Sequence, residues 1–329
     1  MVKFAFNNRR GMTLVELLVV VAILGLLAVA VLPALSTTTE ARRSREAARS
    51  VSSYVAKAQS RGIGRPEWAG LWLTPPASIP SANFSIDLYL ADVSPLFRGN
   101  TSSAVVSGSA SGAAFILTSG SLQSLTPTVN TGDLVRFDGQ LPWYEYVDPT
   151  TIRLRDSGAD NVNQTLLNTP WPAIAVPHTF EVLRQPIRAG SPMTIADGRC
   201  VDLAWSGCGG STAASYRRFG TSPGPIAVLF DGTGRLRQLF YGGARYPVVG
   251  PVYLLIGRTD RAGNSAGVLN TADDSIGANW QYSDSYWIAI DPVTGVAKTA
   301  ECMRQVGLAT DDVFASQAFI RSEVSSGGR

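Results

Sequence analysis

Residues 12–35 read MTLVELLVVVAILGLLAVAVLPAL. Within them, residues 17–32 carry no polar or charged side chain. About 20 apolar helical residues span the ~30 Å hydrocarbon core of a bilayer, so the segment predicts a transmembrane helix. Basic residues precede it at Lys3, Arg9 and Arg10. This predicts a single-pass membrane protein with its N-terminus in the cytoplasm and everything after Leu35 outside.

One acidic residue, Glu16, lies in the apolar segment about one helical turn from its start. A carboxylate at the centre of a bilayer costs about 2.5–3.5 kcal/mol on insertion scales, so such residues are usually partnered or functional. Because Glu16 is close to the interface and its side chain can reach water, a plain membrane anchor stays open. A secretory signal peptide fits less well, since Pro33-Ala34-Leu35-Ser36 matches a cleavage site poorly.

The stretch Arg9-Arg10-Gly11-Met12-Thr13-Leu14-Val15-Glu16, followed by an apolar helix, resembles the type IV prepilin signature. The resemblance implies that a prepilin peptidase cuts after Gly11 and methylates the new amine of Met12, where family members usually have Phe. It implies that Glu16 pairs with an N-terminal amine during assembly, and that Pro33 kinks the helix, since proline removes a backbone hydrogen bond. The implied partners are the peptidase, other pilins or pseudopilins and an inner-membrane assembly platform. The implied location is a bacterial inner membrane, with a head that is periplasmic or extracellular in a fibre.

The helix is predicted to continue beyond the membrane. Apolar residues repeat on one face of a helical period at Ala47, Val51, Tyr54, Val55 and Ala58. Glycines at 62 and 64 predict its end. We therefore expect a leader at 1–11, a transmembrane half at 12–35, an amphipathic spine at 36–61 and a head at 62–329.

The head is predicted to be rich in antiparallel β-structure, which gives an α+β fold with one long helix packed on the sheet. The predicted strands are 70–73, 84–90, 115–117, 134–137, 143–147, 152–154, 225–230, 235–241, 252–256, 286–290 and 296–299, with hairpin turns at 231–234 and 291–295. A last helix is expected near 313–320, and 325–329 is expected to be a frayed tail. The Ser-, Thr- and Gly-rich segment 99–132 is expected to be a surface insertion with a single strand.

The order of segments 47–62, 70–73, 180–186, 201–207 and 226–232 resembles the H-type minor pseudopilin (GspH/FimT-like) family. This resemblance implies a minor subunit of a type II secretion or type IV pilus system. The chain departs from that family by its length, because extra sequence lies between residues 73 and 180.

The three cysteines are compatible with an exported head, which permits a disulfide. Three single pairings are possible. Cys200 with Cys208 is the favoured one because Gly207 lets the intervening loop turn, and it leaves Cys302 over. Three unpaired, buried cysteines are the alternative.

Composition argues against several classes of function. Three of the 28 basic residues lie in the leader, so 25 basic residues balance 25 acidic ones in the remainder, which does not favour nucleic-acid binding. His178 is the one histidine and no P-loop is present, so we expect neither an enzyme nor a small-molecule substrate. Two oxygen-rich loops are better explained as polar surface than as calcium sites, so no cofactor is expected. They comprise 156–163 and the loop with Asp260, Asn264, Asn270, Asp273 and Asp274.

These observations favour a structural subunit that assembles through its N-terminal helix. A fibre-tip adhesin or ligand-binding module on the same helix is the alternative, because the long neutral head has an uncharged Ser/Thr/Gly-rich loop and seven tryptophans. A membrane-anchored enzyme is a second, weaker alternative.

Overall fold

The computed structural model describes residues 14–98, 105–111, 114–120, 129–139, 143–148, 151–154, 177–221, 224–269, 275–306 and 312–326. Within these ranges, the structure describes only the backbone of residues 27–39, 105–111, 114–120, 153–154 and 326. Contacts divide the chain into two compact units, Met1–Arg43 and Ser44–Arg329. The boundary lies eight residues after the predicted start of the amphipathic spine at residue 36.

The first element is α1, Leu14–Gly62, a continuous helix of 49 residues. Its part within the second unit buries one face, on which Ala48, Val51, Val55 and Ala58 are fully inaccessible to water. All five residues of the predicted apolar face are buried, which confirms the amphipathic helix. The helix ends at Gly62, as the glycines predict.

The rest of the second unit is antiparallel β-structure with short helices, which confirms the α+β class. The strands are β1 Ala69–Leu73, β2 Phe84–Ser85, β3 Asp87–Asp92, β4 Val105–Ser111, β5 Ala114–Gly120, β6 Leu134–Phe137, β7 Tyr144–Asp148, β8 Thr151–Leu154, β9 His178–Leu183, β10 Ile187–Thr194, β11 Arg199–Gly209, β12 Tyr216–Arg218, β13 Ile226–Phe230, β14 Leu236–Tyr241, β15 Ala244–Pro247, β16 Val252–Arg258, β17 Tyr286–Ile290 and β18 Ala297–Glu301. Two helices follow, α2 Asp312–Ser316 and α3 Ala318–Ser326.

Two open sheets enclose the buried face of α1. The first has the order β10-β3-β1-β13-β14-β15, and the second has the order β12-β11-β16-β17-β18 with β2 paired to β11. Alternate residues of β1 and β13, such as Leu71 and Val228, share one core with Val55 of the helix and with Leu254 and Ile288 of the second sheet. This core is what fixes the helix on the head, since each apolar side chain of this size gains about 1.5–3 kcal/mol on full burial.

Both predicted hairpins are present, and one helix residue joins their turns. Asp231 Oδ1 accepts hydrogen bonds from the backbone N–H groups of Thr233 (2.9 Å) and Arg235 (3.1 Å), which closes the turn between β13 and β14. Gln59 Nε2 of α1 donates to Gly234 O at 2.9 Å in this turn and to Thr294 O at 2.8 Å in the turn between β17 and β18. The end of α1 is thereby bonded to one turn of each sheet.

The segment predicted to be a surface insertion belongs to a closed barrel. Strands β4 to β9 form a barrel in the order β4-β5-β8-β7-β6-β9. The segment 99–132 contributes two of these strands, β4 and β5, where the sequence predicted one. Val135, Tyr146, Ile152, Phe180 and Val182 form an interior of its own for this barrel.

Two other predicted elements are divided. The predicted strand 84–90 separates at Ile86, because β2 pairs with β11 of the second sheet while β3 pairs with β1 and β10 of the first. The predicted last helix is split into α2 and α3 at Gln317. Val313 and Ile320 of these helices pack with Trp287 on the face of the second sheet that points away from α1.

Candidate functional site

Residues 14–26 of α1 present apolar side chains to solvent. Leu14 is 78% exposed and Leu26 is 74% exposed, and every residue described between them is exposed. Exposed apolar patches of this extent mark a protein–protein or membrane interaction surface. Glu16 lies in the first turn of the helix, where a negative charge is favoured by the helix dipole.

The predicted processing residues Gly11 and Met12 lie outside the described residues, so the cleavage site and the pairing of Glu16 with an N-terminal amine stay predictions. Pro33 lies within α1, and its side chain is likewise outside the description, so the kink also stays a prediction. Among the residues that the structure describes, no helix combines the length and the apolar character needed to cross a membrane.

The predicted disulfide is wrong. Cys200, Cys208 and Cys302 are all free and buried. Cys200 and Cys208 are both in β11, where they pair with Gly257 and Val252 of β16. Five residues of strand separate these partners by about 17 Å, whereas a disulfide needs Cα atoms closer than about 7 Å. Burial raises the pKa of all three thiols, that of Cys208 to about 11.

His178 begins β9. Its Nδ1 lies 2.6 Å from Asp138 Oδ2, and Asp138 Oδ1 accepts the backbone N–H of Thr179 at 3.0 Å and its hydroxyl at 2.9 Å. Partial burial raises the pKa of Asp138, but the hydrogen bonds from His178 and Thr179 lower it more. The pair joins the start of β9 to the end of β6 within the barrel.

The oxygen-rich loops are only partly described. Asp260 is ion-paired with Arg258, whose Nε lies 3.0 Å from Asp260 Oδ1, and Asn264 Nδ2 donates to Ser275 O at 3.2 Å. Asn270, Asp273 and Asp274 of this loop, and the whole of 156–163, lie outside the described residues. No group of three or more His, Cys, Asp or Glu residues in the described ranges is arranged to hold a metal ion.

A cleft of about 610 Å³ lies where the barrel meets the first sheet. Its apolar walls include Trp68, Pro95, Leu96 and Trp143. Its volume falls within the range of small-molecule sites, which are mostly apolar with a few polar groups that fix the ligand.

Two arginines give the cleft its main polar wall. Arg98 Nε donates to Glu181 Oε1 at 2.7 Å, and Arg136 Nε donates to Glu181 Oε2. Burial raises the pKa of Glu181, but the hydrogen bonds from the two arginines outweigh burial, so the pKa is lowered. The guanidinium of Arg136 also lies 4.7 Å from the centre of the Trp143 ring, which holds the indole in place by a cation–π contact. Sequence reasoning missed this site, because its residues come from six separate segments.

A second polar cluster that the sequence did not reveal surrounds Asp202 in β11. The Asp202 carboxylate is fully buried and accepts hydrogen bonds from Asn279 Nδ2 (2.9 Å) and from the N–H groups of Ala204 (3.2 Å) and Gly263 (3.4 Å). Burial raises its pKa to about 7, although these donors lower it. The cluster lies at an irregularity of the β11–β16 pairing, where Ser206 Oγ accepts the N–H of Leu255 at 2.9 Å. The cluster therefore supplies hydrogen bonds in place of the backbone hydrogen bonds to β16 that β11 loses there.

Comparison with known proteins locates one match. A model described as the prokaryotic N-terminal methylation motif matches residues 6–32. No curated protein and no solved structure matches the chain. The match supports a type IV prepilin-like precursor, and it implies processing by a prepilin peptidase and assembly with other pilins.

Proposed function

We propose that this chain is a minor pseudopilin-like subunit of a type II secretion or type IV pilus-like fibre. In this proposal the chain is held in the inner membrane by residues 12–35, cut after Gly11 and drawn into the fibre through α1. The methylation motif at residues 6–32 carries the proposal. The exposed apolar side chains from Leu14 to Leu26 support it, because a helix of this kind needs a lipid or protein environment to cover it.

In the proposed mechanism the carboxylate of Glu16 is neutralised by the terminal amine of a neighbouring Met12. An ion pair in an apolar bundle offsets the cost of leaving the carboxylate alone there, and it sets the register between adjacent helices. The head contributes contacts to the fibre and performs no chemistry. The order of segments in the head, which resembles the H-type family, supports a minor rather than a major subunit.

The proposal is tested in cells that express the full chain with its assembly system. Mass spectrometry of the native protein is expected to find a methylated Met12 at the N-terminus. Gly11→Ala is expected to retain residues 1–11, and Glu16→Ala is expected to be cut normally but recovered in sheared fibres at a strongly reduced level. Glu46→Ala, which removes a carboxylate from the same helix beyond the apolar segment, is the matched control. An intact Met1 on the native protein, or normal incorporation of both variants, would contradict the mechanism.

A further inference from the structure

The cleft between the barrel and the first sheet is a built site that fibre assembly through α1 does not use. All of its lining residues lie in the unit Ser44–Arg329. Leu134 and Arg136 of β6, Leu183 of β9 and Gln238 of β14 are held by strand pairing, while the other lining residues lie in loops that precede β1, follow β3 or precede β7. A ligand site of this kind is independent of the proposed function and is tested separately from it.

Three ionised side chains line the cleft, Arg98, Arg136 and Glu67. Arg98 and Arg136 carry two positive charges, and Glu181, which both of them bind, together with Glu67 on the lining carries two negative ones. The Glu181 side chain is only 12% exposed and accepts hydrogen bonds from both arginines, while the Arg98 side chain is 70% exposed to solvent. Because an anionic ligand would have to compete with Glu181 for the guanidinium groups, the cleft favours an uncharged ligand.

The remaining polar groups are planar or hydroxyl groups that both donate and accept. Gln238 lines the cleft, and its Oε1 accepts a hydrogen bond from Arg245 Nη1 at 2.8 Å, which fixes the orientation of the amide. Ser94 adds a hydroxyl group. A purely apolar peptide would leave these groups unpaired when it excluded water, at a cost of about 1–3 kcal/mol for each buried group.

The apolar walls include flat aromatic surfaces. Trp68 and Trp143 are both partly exposed in the cleft. The Arg136 guanidinium lies over one face of the Trp143 ring, so a ligand would stack on the opposite face. An indole face packs well against a flat apolar surface such as the C–H face of a sugar ring, while the hydroxyl rim of that ring is free to bond guanidinium, amide and carboxylate groups.

We propose that this cleft binds an uncharged glycan, with Trp143 as the stacking surface and with Arg98, Arg136 and Gln238 as hydrogen-bonding groups. Such a site would let the subunit recognise a neutral polysaccharide outside the cell. The alternatives of an acidic glycan and of a peptide are outcomes of the test.

The test uses the full chain in a detergent without a sugar headgroup, applied to an array that carries neutral glycans, acidic glycans and peptides. Binding to neutral glycans is then titrated by tryptophan fluorescence. The affinity is expected to be unchanged between low salt and about 0.5 M salt, since an uncharged ligand has no attraction for salt to screen.

Two cleft variants and one control complete the test. Trp143→Ala is expected to weaken binding about tenfold, and Leu96→Trp, at a 38% exposed position on the rim, is expected to block the cleft without loss of thermal stability. Phe319→Ala, at a 51% exposed position on α3 away from the cleft, is the control and is expected to bind normally. Retention of neutral-glycan binding by Leu96→Trp, a preference for acidic glycans or peptides, or no binding on the array would overturn the proposal. None of these outcomes bears on processing at Gly11.

Discussion

Replacing Asp202 by Asn is expected to change how the stability of the head depends on pH. In the folded protein burial raises the pKa of this carboxyl group to about 7, from an ordinary value of 3.8. At pH values between 3.8 and about 7, the folded state therefore holds a proton that the unfolded state has lost. The stability contributed by this group falls as the pH rises through the folded pKa. A shift of about 3 units at 1.36 kcal/mol per unit corresponds to a loss of about 4 kcal/mol between pH 4 and pH 8.

The measurement is urea unfolding of the full chain in detergent at several pH values, followed by tryptophan fluorescence, to which the buried Trp205, Trp280 and Trp287 contribute. Between pH 4 and pH 8 the unfolding free energy of Asp202→Asn relative to that of the wild type is expected to rise by about 4 kcal/mol. Asp197→Asn, which alters an exposed carboxylate nearby, is the control and should run parallel to the wild type. Parallel curves for Asp202→Asn and the wild type would show that the buried carboxyl does not titrate in this range.

Three further predictions follow from the packing of the second unit. Gln59→Ala is expected to lower the unfolding free energy by about 1–3 kcal/mol, because the side chain bonds a turn of each sheet; an equal stability in urea would show that the turns hold without it. Gly70→Ala is expected to destabilise the head severely in a thermal melt, since a Cβ there would lie 1.9 Å from Val228 O; a melting temperature within a few degrees of the wild type would refute the close approach. A thiol reagent without reductant is expected to label no cysteine in the native chain and all three after unfolding, whereas a single label after unfolding would indicate a disulfide.

The sequence predicted those parts of the fold that local patterns determine. The buried face of α1 follows from the helical spacing of Ala47, Val51, Tyr54, Val55 and Ala58, and a period of 3.6 residues can be recognised without any knowledge of the partner surface. The two hairpins follow from Asp-Gly and Pro-x-x-Gly turns between apolar strands, because such turns connect neighbouring strands directly.

The sequence-based predictions were wrong where the pairing of a short segment depends on strands that lie far away in the chain. Segment 84–90 has a uniform strand pattern, yet its two ends pair with different sheets. Segment 99–132 looked like an insertion because it has no charge and few large apolar residues, but two strands of it close a barrel with four strands from later in the chain. The Cys200–Cys208 pairing assumed a loop between the two residues, and the strand β11 keeps them apart.

The sequence by itself determined the N-terminal signature and the α+β class, because the glycine, the acid, the apolar run and the alternation of strands are all written within short stretches. The closed barrel, the cleft beside it and the buried carboxyl of Asp202 were decided only by the tertiary structure. Each of these depends on side chains brought together from segments far apart in the chain, and their contact is set by strand pairing and core packing rather than by any local spacing.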